Sequence, residues 1–142
     1  MKAISLILFS LTMASGLVAA ATEDGSFDKT LTVSGPVNLD VKTQSGGLAV
    51  TRGSSGTVKI HAILKAEHGW FGSDNVEERM RELERNPPVE QNGNRIRIGY
   101  LRDRSLLKGI SMRLEIQTPS DTQLRAGAES GGIRVQGVRG PV

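Results

Sequence analysis

From Phe27 onward, apolar and polar residues alternate with a period of two, and turn-forming residues interrupt the pattern at short intervals. Leu31 and Val33 share one face before Gly35-Pro36 breaks the run. Val37, Leu39 and Val41 then alternate with Asn38, Asp40 and Lys42. Gln44 to Gly47 reads as a turn, Leu48 and Val50 alternate again, and Gly53 to Gly56 is a second turn. Val58, Ile60, Ala62 and Leu64 follow on one face. After Val89, the Asn92-Gly93-Asn94 signal predicts a hairpin into Ile96, Ile98 and Tyr100. Leu101 to Gly109 reads as a loop, and Pro119 to Thr122 as a turn. Between them Ile110, Met112, Leu114 and Ile116 give the longest clean alternation. Alternation of this kind predicts half-buried strands with one face on a core.

One segment breaks the period. Asp74-Asn75-Val76-Glu77 reads as a capping box, with Asp74 accepting from early backbone N–H groups and Glu77 reaching back. Val76, Met80 and Leu83 then fall at helical spacing. Asn86-Pro87-Pro88 stops the run, because proline cannot donate a backbone hydrogen bond. The spacing predicts a helix over about residues 75–85, its apolar stripe on an end or a face of the β core.

A unit within the strand pattern is used twice. Ser45-Gly46-Gly47-Leu48-Ala49-Val50 has a twin in Ser130-Gly131-Gly132-Ile133-Arg134-Val135. Leu39 and Leu124 each lie six residues before the serine. Gly56-Thr57-Val58 finds its echo in Gly140-Pro141-Val142 with one residue dropped. Gly46, Gly47, Gly131 and Gly132 are therefore corner positions between short strands, where glycine reaches backbone angles that other residues resist. The second copy stops where a following strand would begin, so the chain is expected to be the N-terminal part of a longer protein.

These residues resemble a known family. A strand, Ser-Gly-Gly, Leu or Ile, one residue, Val, then a turn and Gly-x-Val is similar to the repeat of the bacterial adhesin-domain family known as DUF4097. Pro119-Ser120-Asp121-Thr122-Gln123-Leu124 resembles that family's proline-turn-strand step. The resemblance runs from about Phe27 to Val142, with the helical insert its least typical part. It implies an all-β fold, a right-handed parallel β-helix or related β-solenoid with short rungs. It also implies export and no catalysis. A β-sandwich is the alternative, since short alternating strands alone do not separate the two.

The chain start bears on location. Met1-Lys2, the apolar stretch Ile4 to Val18 and the small residues Ala19 to Ala21 form the pattern of a secretory signal peptide over residues 1–21. The single domain then occupies residues 22–142. The sequence has no cysteine, which excludes disulfides, thiolate metal sites and a lipid-modified cysteine. Export without disulfides fits a bacterial envelope, whether periplasm or cell surface, or secretion beyond it.

Charge and candidate chemistry narrow the function classes. The net charge of +3 permits attraction to anionic surfaces. Aromatic residues are 4% of the chain, which argues against a stacking platform for nucleic acid or sugar. Eight arginines run from Arg95 to Arg139, where acidic residues are sparse. Arg95 and Arg97 share an outward face, and Arg113 is expected to point similarly. Trp70-Phe71, in a glycine-flanked loop, is a second contact candidate. His61 is expected at the surface, and His68 has no local ligand companions for zinc. Ser105-Leu106-Leu107-Lys108 and Ser73-Asp74-Asn75 match motifs of penicillin-binding enzymes, but in reversed order and without Lys-Thr-Gly. Asp40 and Glu129 lie on comparable strands and alternate outward. No catalytic, cofactor or metal site is therefore assigned. The expectation is a non-enzymatic interaction module for a cell-envelope glycan, membrane surface or envelope protein. The alternatives are a carbohydrate-active β-helix enzyme and an envelope-stress accessory protein.

Overall fold

The computed structural model describes residues 25–67 and 75–138. The leader expected at residues 1–21, His68, Trp70, Phe71, Asp74 and the segment from Arg139 lie outside them. The chain is mostly β. In order it forms β1 (Gly25–Thr32), β2 (Val37–Ser45), β3 (Leu48–Arg52), β4 (Thr57–Ala66), α1 (Val76–Arg85), β5 (Val89–Asn92) and β6 (Arg95–Ile98). A short 3-10 turn at Arg104–Leu107 precedes β7 (Ile110–Thr118), β8 (Thr122–Ser130) and β9 (Ile133–Gln136).

The strands build two mixed sheets, ordered β1-β4-β7-β3-β9 and β5-β6-β2-β8. Parallel pairing is confined to β6–β2–β8 in one sheet and β7–β3–β9 in the other. β1, β4 and β5 run antiparallel to their neighbours. The glycine corner after β2 carries the chain from the smaller sheet into the larger, and the corner after β8 does the same. The Gly53–Gly56 turn does not form a simple hairpin. It returns β4 antiparallel beside β7, and β7 is inserted between β3 and β4.

The period-two residues supply one shared core. Val37, Leu39 and Val41 from β2 are buried with Ile96 and Ile98 from β6. Val58, Ile60, Ala62 and Leu64 from β4 face Ile110, Met112, Leu114 and Ile116 from β7. Each fully buried Val, Leu or Ile contributes about 1.5–3 kcal/mol relative to an exposed one. A one-residue slip would turn each set outward, so the alternation fixes the register.

The helix lies where its stripe requires. Met80 and Leu83 are buried, Val76 packs against the core margin, and α1 rests on β1 and the 3-10 turn. Arg79 Nη1 reinforces that contact by donating to the Ser105 carbonyl at 2.9 Å and to the Lys108 carbonyl. The capping differs from expectation. Asn75 holds the N-cap position with φ 68° and makes no side-chain cap bond. Asn tolerates this left-handed conformation better than most residues, so the helix starts one residue later than a cap at Asp74 requires.

Two further details sharpen the expected pattern. The β5–β6 hairpin forms, and Asn94 Oδ1 accepts from Ser34 N at 2.9 Å, tying it to the β1–β2 connection. The Leu101–Gly109 loop contains the 3-10 turn. Asp103 caps it, accepting from Ser105 N at 3.0 Å and Ser105 Oγ at 2.5 Å.

Candidate ligand-binding face and its glycine corners

The two glycine corners lie directly on one another. Val37 pairs with Thr122, Leu39 with Leu124 and Ser45 with Ser130, and beyond the corner Leu48 pairs with Ile133 and Val50 with Val135. The separation is constant, 130 − 45 = 85 before the corner and 133 − 48 = 85 after it. β6 and β7 flank β2–β3 on the other side. Backbone bonds continue across the corners: Leu114 N donates to Gly47 O, and Leu48 N to Gly132 O, each at 2.9 Å.

Only one glycine of each pair is sterically demanded. Gly46 has φ 114°, and a Cβ on it would lie 2.3 Å from the Met112 carbonyl oxygen. Gly131 has φ 118°, and its Cβ would lie 2.2 Å from the Gly46 carbonyl oxygen. At Gly47 the nearest atom would be an ordinary 3.7 Å away, and at Gly132 there is open space. A third such position went unnoticed in the sequence. Gly99 leaves β6 at φ 87°, with a Cβ position only 1.8 Å from the Lys42 carbonyl oxygen.

The outer face of the smaller sheet carries an open groove of about 730 Å³. Arg95, Asn38 and Gln123 form one row across β6, β2 and β8; Arg97, Asp40 and Arg125 form the next. Arg97 and Asp40 are fixed by neighbours. The Arg97 guanidinium lies 4.0 Å from the Tyr100 ring centroid, and its Nη1 is 3.8 Å from Glu90 Oε2. Tyr100 OH donates to Asp40 Oδ1 at 2.6 Å. That hydrogen bond to a carboxylate is the main reason the phenol's pKa is raised above its ordinary value. Burial and the Asp40 charge add to the shift, while Arg97 opposes it. Among the described residues no ion pair engages Arg95 or Arg125.

The structure therefore joins Arg95 and Arg97 but separates Arg113 from them. Arg113 lies on β7 in the larger sheet, 3.8 Å from Glu115. Outward alternation identifies a face, and each sheet has its own. His61 is half-exposed, and its Nδ1 is 2.7 Å from Asp28 Oδ1 on the adjacent strand. Ser105 Oγ is committed to Asp103. That bond and the Ser105 amide also lower the Asp103 pKa. Glu129 pairs with Arg104 at 2.9 Å. Asp40 pairs with Arg125, four residues before Glu129 on β8, so the two backbone positions are offset by about 13 Å along the strands. Among the described residues no group of three or more His, Cys, Asp or Glu is placed to hold a metal ion, and no helix is long and apolar enough to cross a membrane.

Asn38, Gln123, Arg125 and Tyr100 were not singled out from the sequence as contact residues. Arg125 was within reach, because the 85-residue spacing that relates Ser45 to Ser130 also relates Asp40 to Arg125. Comparison with protein-family models, curated proteins and solved structures returned no match to this chain.

Proposed function

We propose that the chain is an exported, non-enzymatic interaction module of the bacterial envelope, adhesin-like in its surface chemistry and solenoid-like in its stacked strand–corner–strand units. Its contact surface is the outer face of the β5-β6-β2-β8 sheet, and its ligand is an anionic envelope component. The groove carries this reading: Arg95 on β6 and Arg125 on β8 flank Asn38 and Asp40 of β2, with Gln123 beside Arg125, and neither arginine has an ionic partner among the described residues. Guanidinium groups fork onto carboxylate or phosphate, and the amides add hydrogen bonds to neighbouring hydroxyls. The carboxylates support a binding role. Asp40 accepts from Tyr100 and Glu129 pairs with Arg104, so each carboxylate is already engaged by a neighbour.

The test is binding of the purified chain to anionic cell-wall polymer, neutral cell-wall polymer and anionic vesicles across a salt series. Binding to at least one anionic target should weaken as salt rises, and Arg95→Ala with Arg97→Ala should reduce it. Salt-independent binding, or turnover of a glycan, would remove the proposal.

A further inference from the structure

We propose that a small cavity beside Lys42 and Arg104 seats one oxyanionic group, a phosphate or a carboxylate. The inference rests on the reading of this sheet face as a surface for an anionic envelope component, and it assigns where one charged group of that component is held. The cavity measures about 100 Å³ and shares no lining residue with the larger groove. Its walls are Lys42 and Gln44 of β2, Gly99 and Tyr100 after β6, and Arg104 and Leu107 of the 3-10 turn. Among the described residues no aspartate or glutamate lines it.

Lys42 is the cation that lacks a partner. It is half-buried, and among the described residues no carboxylate lies within ion-pair distance of it. Asp40, two residues earlier on the same face, accepts from Tyr100 OH at 2.6 Å. The cross-strand neighbours of Lys42 are both glycines. Gly127 pairs with it on β8. Gly99 presses against it from the β6 side, where a Cβ would lie 1.8 Å from the Lys42 carbonyl oxygen. That contact demands glycine at position 99. Nothing comparable holds at Gly127, whose Cβ would meet open space and whose φ lies outside the left-handed region. A glycine inside a strand weakens it, and one that neither backbone nor packing requires marks a place where a ligand approaches closely.

Arg104 supplies the second cation and is held in place. Its Nη2 donates to Glu129 Oε1 at 2.9 Å. With the Gln44 amide turned to satisfy its neighbours, Gln44 Oε1 accepts from Arg104 Nε at 2.9 Å and from Nη2 at 3.1 Å. Nη1 has no acceptor among the described residues. An ammonium and a fixed guanidinium at one small cavity match the oxygens of a single phosphate or carboxylate. Lys42 lies two residues beyond Asp40, so the seat is about 7 Å along the strands from the row that carries Arg97 and Arg125. A polymer with successive anionic groups can occupy both.

Inorganic phosphate is the probe, titrated into the full chain with ionic strength held by sodium chloride. It should saturably shift the amide NMR signals of Lys42, Gly99 and Tyr100, with smaller shifts at Asn38 and Gln123. Lys42→Gln should weaken phosphate binding about tenfold, Lys42→Arg should keep it, and Arg113→Ala, on the other sheet, should leave it unchanged. Phosphate-bearing and carboxylate-bearing cell-wall polymers are then competed against phosphate, and the one that displaces it supplies the group. No shift at Lys42, Gly99 and Tyr100, equal binding by Lys42→Gln and the parent, or displacement by neither polymer overturns the proposal. The groove reading survives the first two results, because it is judged by salt-dependent polymer binding through Arg95 and Arg97.

Discussion

Replacing Gly46 by alanine tests the corner stacking most directly. The added Cβ would lie 2.3 Å from the Met112 carbonyl oxygen, more than an ångström inside ordinary contact. β7 cannot yield easily, because it is held between β4 and β3. The backbone cannot relax either, since φ 114° is a conformation that L side chains rarely adopt. Strain of about 1–3 kcal/mol adds to overpacking of about 1–3 kcal/mol. The expected loss is therefore roughly 2–6 kcal/mol, or about 8–25 °C in Tm for a domain of this size. Gly47→Ala meets only the Gly132 carbonyl at 3.7 Å and should cost less than about 1 kcal/mol. Gly131→Ala clashes as Gly46→Ala does, but on an edge unit that can shift outward, so about 1–3 kcal/mol is expected. Gly132→Ala faces open space and should be nearly neutral. Urea and thermal unfolding followed by far-ultraviolet circular dichroism gives the order. Equal losses at Gly46 and Gly47, or at Gly131 and Gly132, would refute the stacking argument. The second comparison stands even if Gly46→Ala does not fold.

Three other outcomes follow from particular side chains. Thr43 is fully buried and its hydroxyl has no hydrogen-bond partner among the described residues, so Thr43→Val should raise stability by about 1 kcal/mol, read as a higher urea midpoint. Leu83→Ala empties a buried site under α1 and should cost about 2–5 kcal/mol in the same assay. Tyr100 is the only tyrosine, so phenolate absorbance reports it alone; its midpoint should lie above the ordinary value and fall toward it in Asp40→Asn. Because the folded pKa is raised, this interaction stabilises fully below the unfolded tyrosine pKa of about 10 and is lost as pH rises through the folded value. A midpoint unmoved by Asp40→Asn would remove Asp40 as the cause.

Strand content and inward faces were legible because one-sided burial writes itself as period two. Every predicted inward residue of β2, β3, β4 and β7 is buried. The helix was legible from Met80 and Leu83 for the same kind of reason. Strand order was not. Alternation states that β7 has an inner face but carries no information that it inserts between β3 and β4. The partition of arginines between sheets was lost with it, which is why Arg113 was grouped with Arg95 and Arg97. Among the glycines, the decisive feature at Gly46 is a carbonyl 112 − 46 = 66 residues away. No local pattern distinguishes that glycine from Gly47.

The order of the stacked units also has a kinetic side. β2–β3 lies between β6–β7 and β8–β9, and both neighbours come later in the chain. Leu39 waits 96 − 39 = 57 residues for Ile96, and Leu48 waits 114 − 48 = 66 for Leu114. A chain emerging from its N-terminus therefore presents β2 and β3 before either of their in-sheet neighbours has been made. Loops of that length must close before their contacts form, which slows folding. The most regular unit of the fold is thus among the last to be secured, and until then it is the segment most open to pairing with another chain or with a chaperone.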